Sequence, residues 1–125
     1  MRDVTDTLVR TLGFSAAAIV VLGTGVWLTR LGWPYDAAIL NIHKLVALAV
    51  VVVLGILVYR AACAAPLAPG DWAMVVSAGL LCVISFASGG VANAMESTPG
   101  WVLWVHRISS WVAAGTVAMC LVKVV

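Results

Sequence analysis

The sequence predicts an all-α membrane protein, an up-down-up-down bundle of four transmembrane helices that forms a single domain over residues 1–125. Three observations predict this fold. Hydrophobic residues make up 64% of the chain and charged residues 10%, against roughly half and a quarter in soluble domains. The charges leave four long gaps, each near the ~20 residues that a helix needs to cross a bilayer. The links between the gaps are short, so consecutive helices should be antiparallel neighbours.

The first two helices are expected at about 8–29 and 37–59. Residues 11–29 carry no charge, and residues 37–59 carry only Lys44. Asp36 stands where an N-cap for the second helix is needed. The valines at 50–53 would favour a strand in water. In lipid, however, the segment must be helical, because only a helix satisfies its own backbone hydrogen bonds.

The third and fourth helices are expected at about 72–94 and 101–122. No charged residue occurs in 72–95, and Asp71 stands as an N-cap for the third helix. The fourth helix follows Pro99 and Gly100, two helix breakers, and contains Arg107 as its one charge before Lys123. Trp111, deep in this helix, is expected to pack in the core.

Positive charges predict the orientation in the membrane. The side of the two termini carries Arg2, Arg10, Arg60 and Lys123, and the opposite side carries Arg30, Lys44 and Arg107. If Lys44 and Arg107 belong to a site, the bias is four to one, and the positive-inside rule puts both termini in the cytoplasm. We therefore expect a multi-pass protein in the lipid bilayer of a prokaryotic cell membrane. The net charge of +2 is too small to imply nucleic-acid binding.

The chain contains two histidines, His43 and His106, each followed by a cation and a branched aliphatic residue. An ionisable residue inside a membrane segment marks a functional site by default. His43 lies seven residues after Asp36, and His106 lies six after Gly100. At 1.5 Å per residue, both lie about 10 Å from the start of their helices. Because the second and fourth helices are parallel, the two histidines should be level.

In a bundle with short links, the second and fourth helices are diagonal, with axes roughly 11–14 Å apart. This distance is too wide for two imidazoles to touch, or to bind one small ion at ~2.0–2.1 Å. It fits two imidazoles that bind a central iron from opposite faces of a flat macrocycle. The pattern thus predicts one haem b per chain, with His43 and His106 as the iron ligands.

Small residues near the histidines are expected to make room for the macrocycle, because glycine lacks a Cβ. The glycines at the depth of the histidines are Gly23, Gly25, Gly89 and Gly90. Ala47 and Ser110 follow the two histidines by four residues and share their helical face. Lys44 and Arg107 are placed to bind the haem propionates.

Two further features involve the same region. Five polar residues are expected to hydrogen-bond a histidine, a propionate or a backbone carbonyl: Thr24, Asn41, Ser88, Asn93 and Ser109. A weak internal repeat pairs Gly-Thr-Gly at 23–25 with Ser-Gly-Gly at 88–90, each ahead of a histidine. Two parallel hairpin repeats would relate to each other about an axis along the membrane normal.

The steps His43-Lys44-Leu45 and His106-Arg107-Ile108 resemble those of the small four-helix membrane b-type cytochromes, namely cytochrome b561-type proteins and each half of haem A synthase. The resemblance covers the helical plan of the whole chain, and its specific motifs are these two steps. It implies bis-histidine haem b, ligated by His43 and His106. The b561-type bundle has four histidines and two haems, one near each face. In this chain, the predicted cytoplasmic half contains no histidine, so the resemblance supports one haem only. Haem A synthase uses two such bundles and a carboxylate, so the resemblance does not imply its activity for a single bundle.

Electron transfer is the leading interpretation, because two strong ligands leave the iron no open site. The chain would be an electron-transfer component of an oxidoreductase, with one haem near the outer face and a quinone or redox protein as partner. A homodimer is also expected, through the pairs Ala78/Cys82 and Gly115/Met119. Two other functions fit the sequence. One is a small transporter or metal-handling protein, and the other is a haem-free structural subunit in which the histidines tie helices together.

Overall fold

The chain folds into four long helices. The computed structural model describes residues 4–125, and its helices are α1 (Val4–Leu31), α2 (Ala37–Ala64), α3 (Pro69–Ala94) and α4 (Gly100–Lys123). Residues 4–125 contain no strand. Each helix is long and apolar enough to cross a membrane. The predicted fold class, an all-α four-helix transmembrane bundle, is confirmed, and the protein is a multi-pass integral membrane protein.

Three of the helices extend well beyond the predicted spans. α1 begins at Val4, where Arg10 and Asp6 form an ion pair of 2.6 Å on one face. α2 continues past Arg60 to Ala64. Charge gaps mark only the apolar part of a helix, because charged residues are stable in a helix where it reaches water. The predicted helices therefore match the observed helices in position and are shorter at several ends.

The link between α1 and α2 is closed by two local hydrogen-bond motifs. Gly32 has a φ of 74°, and its N–H donates to the carbonyl of Leu28 over 3.0 Å. This is the left-handed termination for which glycine is preferred. At the start of α2, the N–H of Ile39 donates to Oδ1 of Asp36 over 3.0 Å. The predicted N-cap at Asp36 is confirmed.

Replacing Asp36 with alanine is expected to lower the free energy of unfolding by about 1 kcal/mol, because the N–H of Ile39 loses its side-chain acceptor. Titration with SDS, followed by tryptophan fluorescence, measures this change. Asp36→Asn is the control, since it keeps a side-chain oxygen that can cap the helix. Equal stability of the alanine variant and the wild type would contradict the prediction.

The predicted N-cap at Asp71 is wrong. α3 begins at Pro69 with Ala68 as its N-cap residue, so Asp71 lies inside the first turn. Proline is suited to the first helical position, because it has no N–H to satisfy and its φ already matches the helix. At the other end of α3, the hydroxyl of Thr98 donates to the carbonyl of Ala92 over 3.1 Å. This bond holds the short link that leads into α4.

The chain divides into two compact units. The first ends at Val50 and contains α1 with the first half of α2; the second runs from Val51 to Val125 and contains the rest. In the second unit, α3 packs along α4, and a small core is formed by Val58, Cys120, Val124 and Val125. Ala78 of α3 is fully buried. The face predicted to bind a second copy at Ala78 and Cys82 is therefore partly inside the protein.

Large apolar side chains are exposed along all four helices. Ile19, Leu45 and Val83 are exposed by 71%, 66% and 63%, as expected for side chains that contact lipid. Trp111 is exposed by 59%, so the prediction that it packs in the core is wrong. Lipid is as apolar as a protein core, and a large side chain in a membrane span gains little from burial.

Candidate functional site

In the first unit, His43 of α2 is hydrogen-bonded to α1. Its Nδ1 lies 2.9 Å from the backbone oxygen of Val21. A carbonyl oxygen can only accept a hydrogen bond, so Nδ1 must carry the proton. The lone pair of the neutral ring is then on Nε2. In the neutral ring, this contact selects the tautomer whose Nε2 has the chemistry of a metal ligand.

Two more residues of α1 contact this ring. Oγ1 of Thr24 lies 3.1 Å from Nδ1 of His43, and its own proton is donated to the carbonyl of Val20 over 2.6 Å. A Cβ at Gly25 would lie 3.2 Å from Cε1 of His43. The Nδ1–Cε1 edge of the imidazole therefore lies close to α1, in a position that the absent side chain of Gly25 leaves open.

In the second unit, His106 of α4 makes the same set of contacts with α3. Its Nδ1 lies 2.9 Å from the backbone oxygen of Ser85 and 3.4 Å from Oγ of Ser88. The hydroxyl of Ser88 donates to the carbonyl of Ile84 over 2.7 Å. A Cβ at Gly89 would lie 2.8 Å from Cε1 of His106. His106 is therefore also held as the tautomer with its lone pair on Nε2.

The two histidine environments share one plan. In each, a carbonyl accepts from Nδ1, a hydroxyl follows three residues later, and a glycine comes next. His43 lies 22 residues after its carbonyl partner, and His106 lies 21 after its own. The structure thus pairs Thr24-Gly25 with Ser88-Gly89. The predicted pairing of Gly-Thr-Gly at 23–25 with Ser-Gly-Gly at 88–90 was out of register by one residue.

Of the four predicted glycines, Gly25 and Gly89 contact a histidine ring. Gly23 and Gly90 face elsewhere, because no atom lies within 4 Å of the Cβ position of either one. Each residue along a helix turns by about 100°, so Gly90, one residue from Gly89, and Gly23, two residues from Gly25, face different surfaces. A role for Gly23 and Gly90 in cofactor binding stays a prediction.

The other predicted site residues lie close to the histidines along their own helices. The hydroxyl of Ser110 donates to the backbone oxygen of His106 over 2.6 Å, and Ala47 is partly buried. Lys44 and Arg107 are exposed. Within residues 4–125, the one ion pair is between Arg10 and Asp6. The propionate contacts expected of Lys44 and Arg107 stay predictions.

The hydroxyls of Thr24 and Ser88 contact histidines and that of Ser109 bonds a backbone carbonyl, all of which are among the predicted partners. Oγ of Ser85 donates to Oγ of Ser109 over 2.9 Å, and both serines are buried. The hydroxyl of Ser109 lies 3.2 Å from the backbone oxygen of His106. Sequence reasoning missed Val21 and Ser85, because every residue offers a carbonyl.

Replacing Ser109 with alanine is expected to lower the free energy of unfolding by about 1 kcal/mol, because the buried hydroxyl of Ser85 loses its acceptor. A double-mutant cycle with Ser85→Ala measures the coupling by SDS titration. The loss of unfolding free energy in the double variant should be smaller than the sum of the losses in the two single variants. Ser77→Ala is the control, since the exposed hydroxyl of Ser77 bonds only its own helix. Strict additivity of Ser85→Ala and Ser109→Ala would count against the pair.

In each histidine environment, an imidazole that is neutral has its lone pair on Nε2, and such a nitrogen is a suitable ligand for iron, zinc or copper. Within residues 4–125, no three or more histidine, cysteine, aspartate and glutamate side chains are grouped as a metal-ion site. No known protein family, curated protein or solved structure matches the chain.

Proposed function

We propose that the protein transfers electrons through one haem b, whose iron is bound by His43 and His106 near the outer face of the membrane. One observation carries this proposal: both imidazoles donate Nδ1–H to a backbone carbonyl 2.9 Å away. Histidines that bind metals almost always donate their other ring N–H to a carbonyl, a carboxylate or water. The arrangement occurs at both histidines of the chain.

The residues present fit a haem. The donors are two neutral imidazoles, and Gly25 and Gly89 let each ring lie directly against a helix backbone. The exposed cations Lys44 and Arg107 follow the two ligands and suit the negatively charged propionates. A bound haem supplies reversible one-electron chemistry. With both imidazoles as iron ligands, electron transfer would be favoured over oxygen binding.

In this proposal, the electron partner is a quinol in the bilayer or a redox protein, and the chain is a component of an oxidoreductase. Both termini lie in the cytoplasm of a prokaryotic cell, as the distribution of cations indicates. A second copy of the chain would pack on the face of α4 that contains Gly115 and Met119, both of which are exposed.

A second candidate function is a haem-free structural subunit of a membrane complex. The observation that favours it is that the same two hydrogen bonds connect α1 with α2 and α3 with α4. Such bonds tie helices together whether or not a cofactor is present. The transporter or metal-handling alternative uses the histidines for a small cation instead. Both alternatives predict a protein without the absorption bands of haem.

The visible absorption spectrum of the detergent-purified protein tests the proposal. We expect sharp bands of low-spin haem b after reduction with dithionite, and one haem per chain by the pyridine haemochrome assay. Protein purified without haem should develop the same bands when haemin is added. A protein that is purified without haem, and whose haemin titration gives only the spectrum of free haemin, would refute haem binding, and the structural or transport functions would take its place.

A further inference from the structure

The contacts of Thr24 with Val20 and with His43 together show the direction of its hydrogen bonds. Its hydroxyl donates to the carbonyl of Val20 over 2.6 Å, within its own helix. Its oxygen lies 3.1 Å from Nδ1 of His43, and 3.1 Å from the carbonyl oxygen of Val21. Because the proton of Thr24 is committed to Val20, a lone pair of Oγ1 faces Nδ1–H. The ring N–H of His43 therefore has two acceptors, the carbonyl of Val21 and the hydroxyl of Thr24.

Ser88 has the same relation to His106, over a longer distance. Its hydroxyl donates to the carbonyl of Ile84 over 2.7 Å, and its oxygen lies 3.4 Å from Nδ1 of His106. It also lies 3.2 Å from the carbonyl of Ser85, which is the main acceptor of the ring N–H. Hydrogen bonds weaken as the distance increases beyond ~3.2 Å. The hydroxyl contact is thus stronger at His43 than at His106.

We propose that Thr24 is a positioning residue for His43, and that Ser88 is its weaker counterpart for His106. Two acceptors on Nδ1–H fix the tautomer and the plane of the ring, because rotation of the imidazole would break both bonds. They also draw the proton away from the ring, which increases electron donation from Nε2 to a bound metal. This last consequence rests on the haem ligation proposed above. Stronger donation stabilises ferric over ferrous iron, so Thr24 lowers the reduction potential.

The chain contains two histidines, so ¹⁵N-histidine labelling gives one set of ring signals for each. NMR of the purified protein, reduced with dithionite to keep any haem iron diamagnetic, reads the Nδ1–H groups directly. We expect both histidines to carry the proton on Nδ1. In Thr24→Val, which keeps the shape of the side chain, the Nδ1–H proton of His43 should shift to lower frequency while that of His106 is unchanged. Thr24→Ser should restore the wild-type signal.

Thr29→Val is the matched control. The hydroxyl of Thr29 bonds the carbonyl of Gly25 in the same helix over 3.0 Å, and it is exposed. The variant Thr29→Val should leave both histidine signals unchanged. Ser88→Ala should shift the signal of His106, by less than Thr24→Val shifts that of His43. Thr24→Ala provides a second variant without the hydroxyl, should the valine variant not fold.

In haem-loaded protein, Thr24→Val should also raise the midpoint potential, and Thr24→Ser should return it to the wild-type value. An unchanged His43 signal in Thr24→Val, or an equal shift in Thr29→Val, would overturn the proposal. A wild-type protein that binds no haemin would refute haem ligation, yet the His43 signal in Thr24→Val would still show whether Thr24 bonds His43. The two failures are therefore distinguishable.

Discussion

Replacement of either His43 or His106 with alanine is expected to abolish the low-spin haem spectrum of the purified protein. The chain has no third histidine that could take the vacant axial position. With one imidazole left, the haem should be high-spin or lost during purification. Each variant also loses the Nδ1–H bond to Val21 or Ser85. The absorption spectrum and the haem content per chain measure the effect, and the double variant should retain no haem.

Two neighbouring substitutions are the controls. Ile42→Ala and Ile108→Ala change exposed side chains that flank the histidines in sequence, and both should keep the wild-type bands. Added imidazole should restore low-spin bands to His43→Gly, because the free ligand can occupy the space of the missing side chain. Retention of the wild-type spectrum by either alanine variant would mean that the altered histidine is not an iron ligand.

Gly89→Ala is expected to have the second largest effect, with a loss of about 1–3 kcal/mol in the free energy of unfolding and reduced haem content. The added Cβ would lie 2.8 Å from Cε1 of His106 and 3.1 Å from its Nδ1. The ring cannot move aside freely, because Nδ1 is bonded to the carbonyl of Ser85. Either this bond breaks, or α3 and α4 move apart along a face that contains buried Ser109.

The adjacent glycine provides a matched control on the same helix. The Cβ of Gly90→Ala meets no atom within 4 Å, so this variant should lose neither stability nor haem, and the helix propensity of alanine should if anything stabilise it. In α1, Gly25→Ala should lose less than Gly89→Ala, since its Cβ would lie 3.2 Å from Cε1 of His43, and Gly23→Ala should cause no loss. SDS titration and haem content measure all four variants. Equal effects of Gly89→Ala and Gly90→Ala would contradict the contact with His106.

Most of the fold could be predicted from the sequence, and the two failures have separate physical causes. The spans followed from the charge gaps, and the cap at Asp36 followed from its place before an apolar segment. The prediction for Asp71 failed because Pro69 starts the helix earlier. The prediction for Trp111 failed because lipid, unlike water, does not drive a large apolar side chain inward.

The sequence by itself determined the four membrane helices and the two histidines within them. It could do so because lipid permits few backbone structures, and because a charge or an imidazole in a span is rare. Only the tertiary structure decided which atoms surround each ring: the carbonyls of Val21 and Ser85, and Gly25 and Gly89 instead of their neighbours. Those contacts depend on the rotation of each helix about its axis and on its register against the next. A one-residue change turns a side chain by about 100° and leaves the apolar pattern of a lipid-facing helix unchanged.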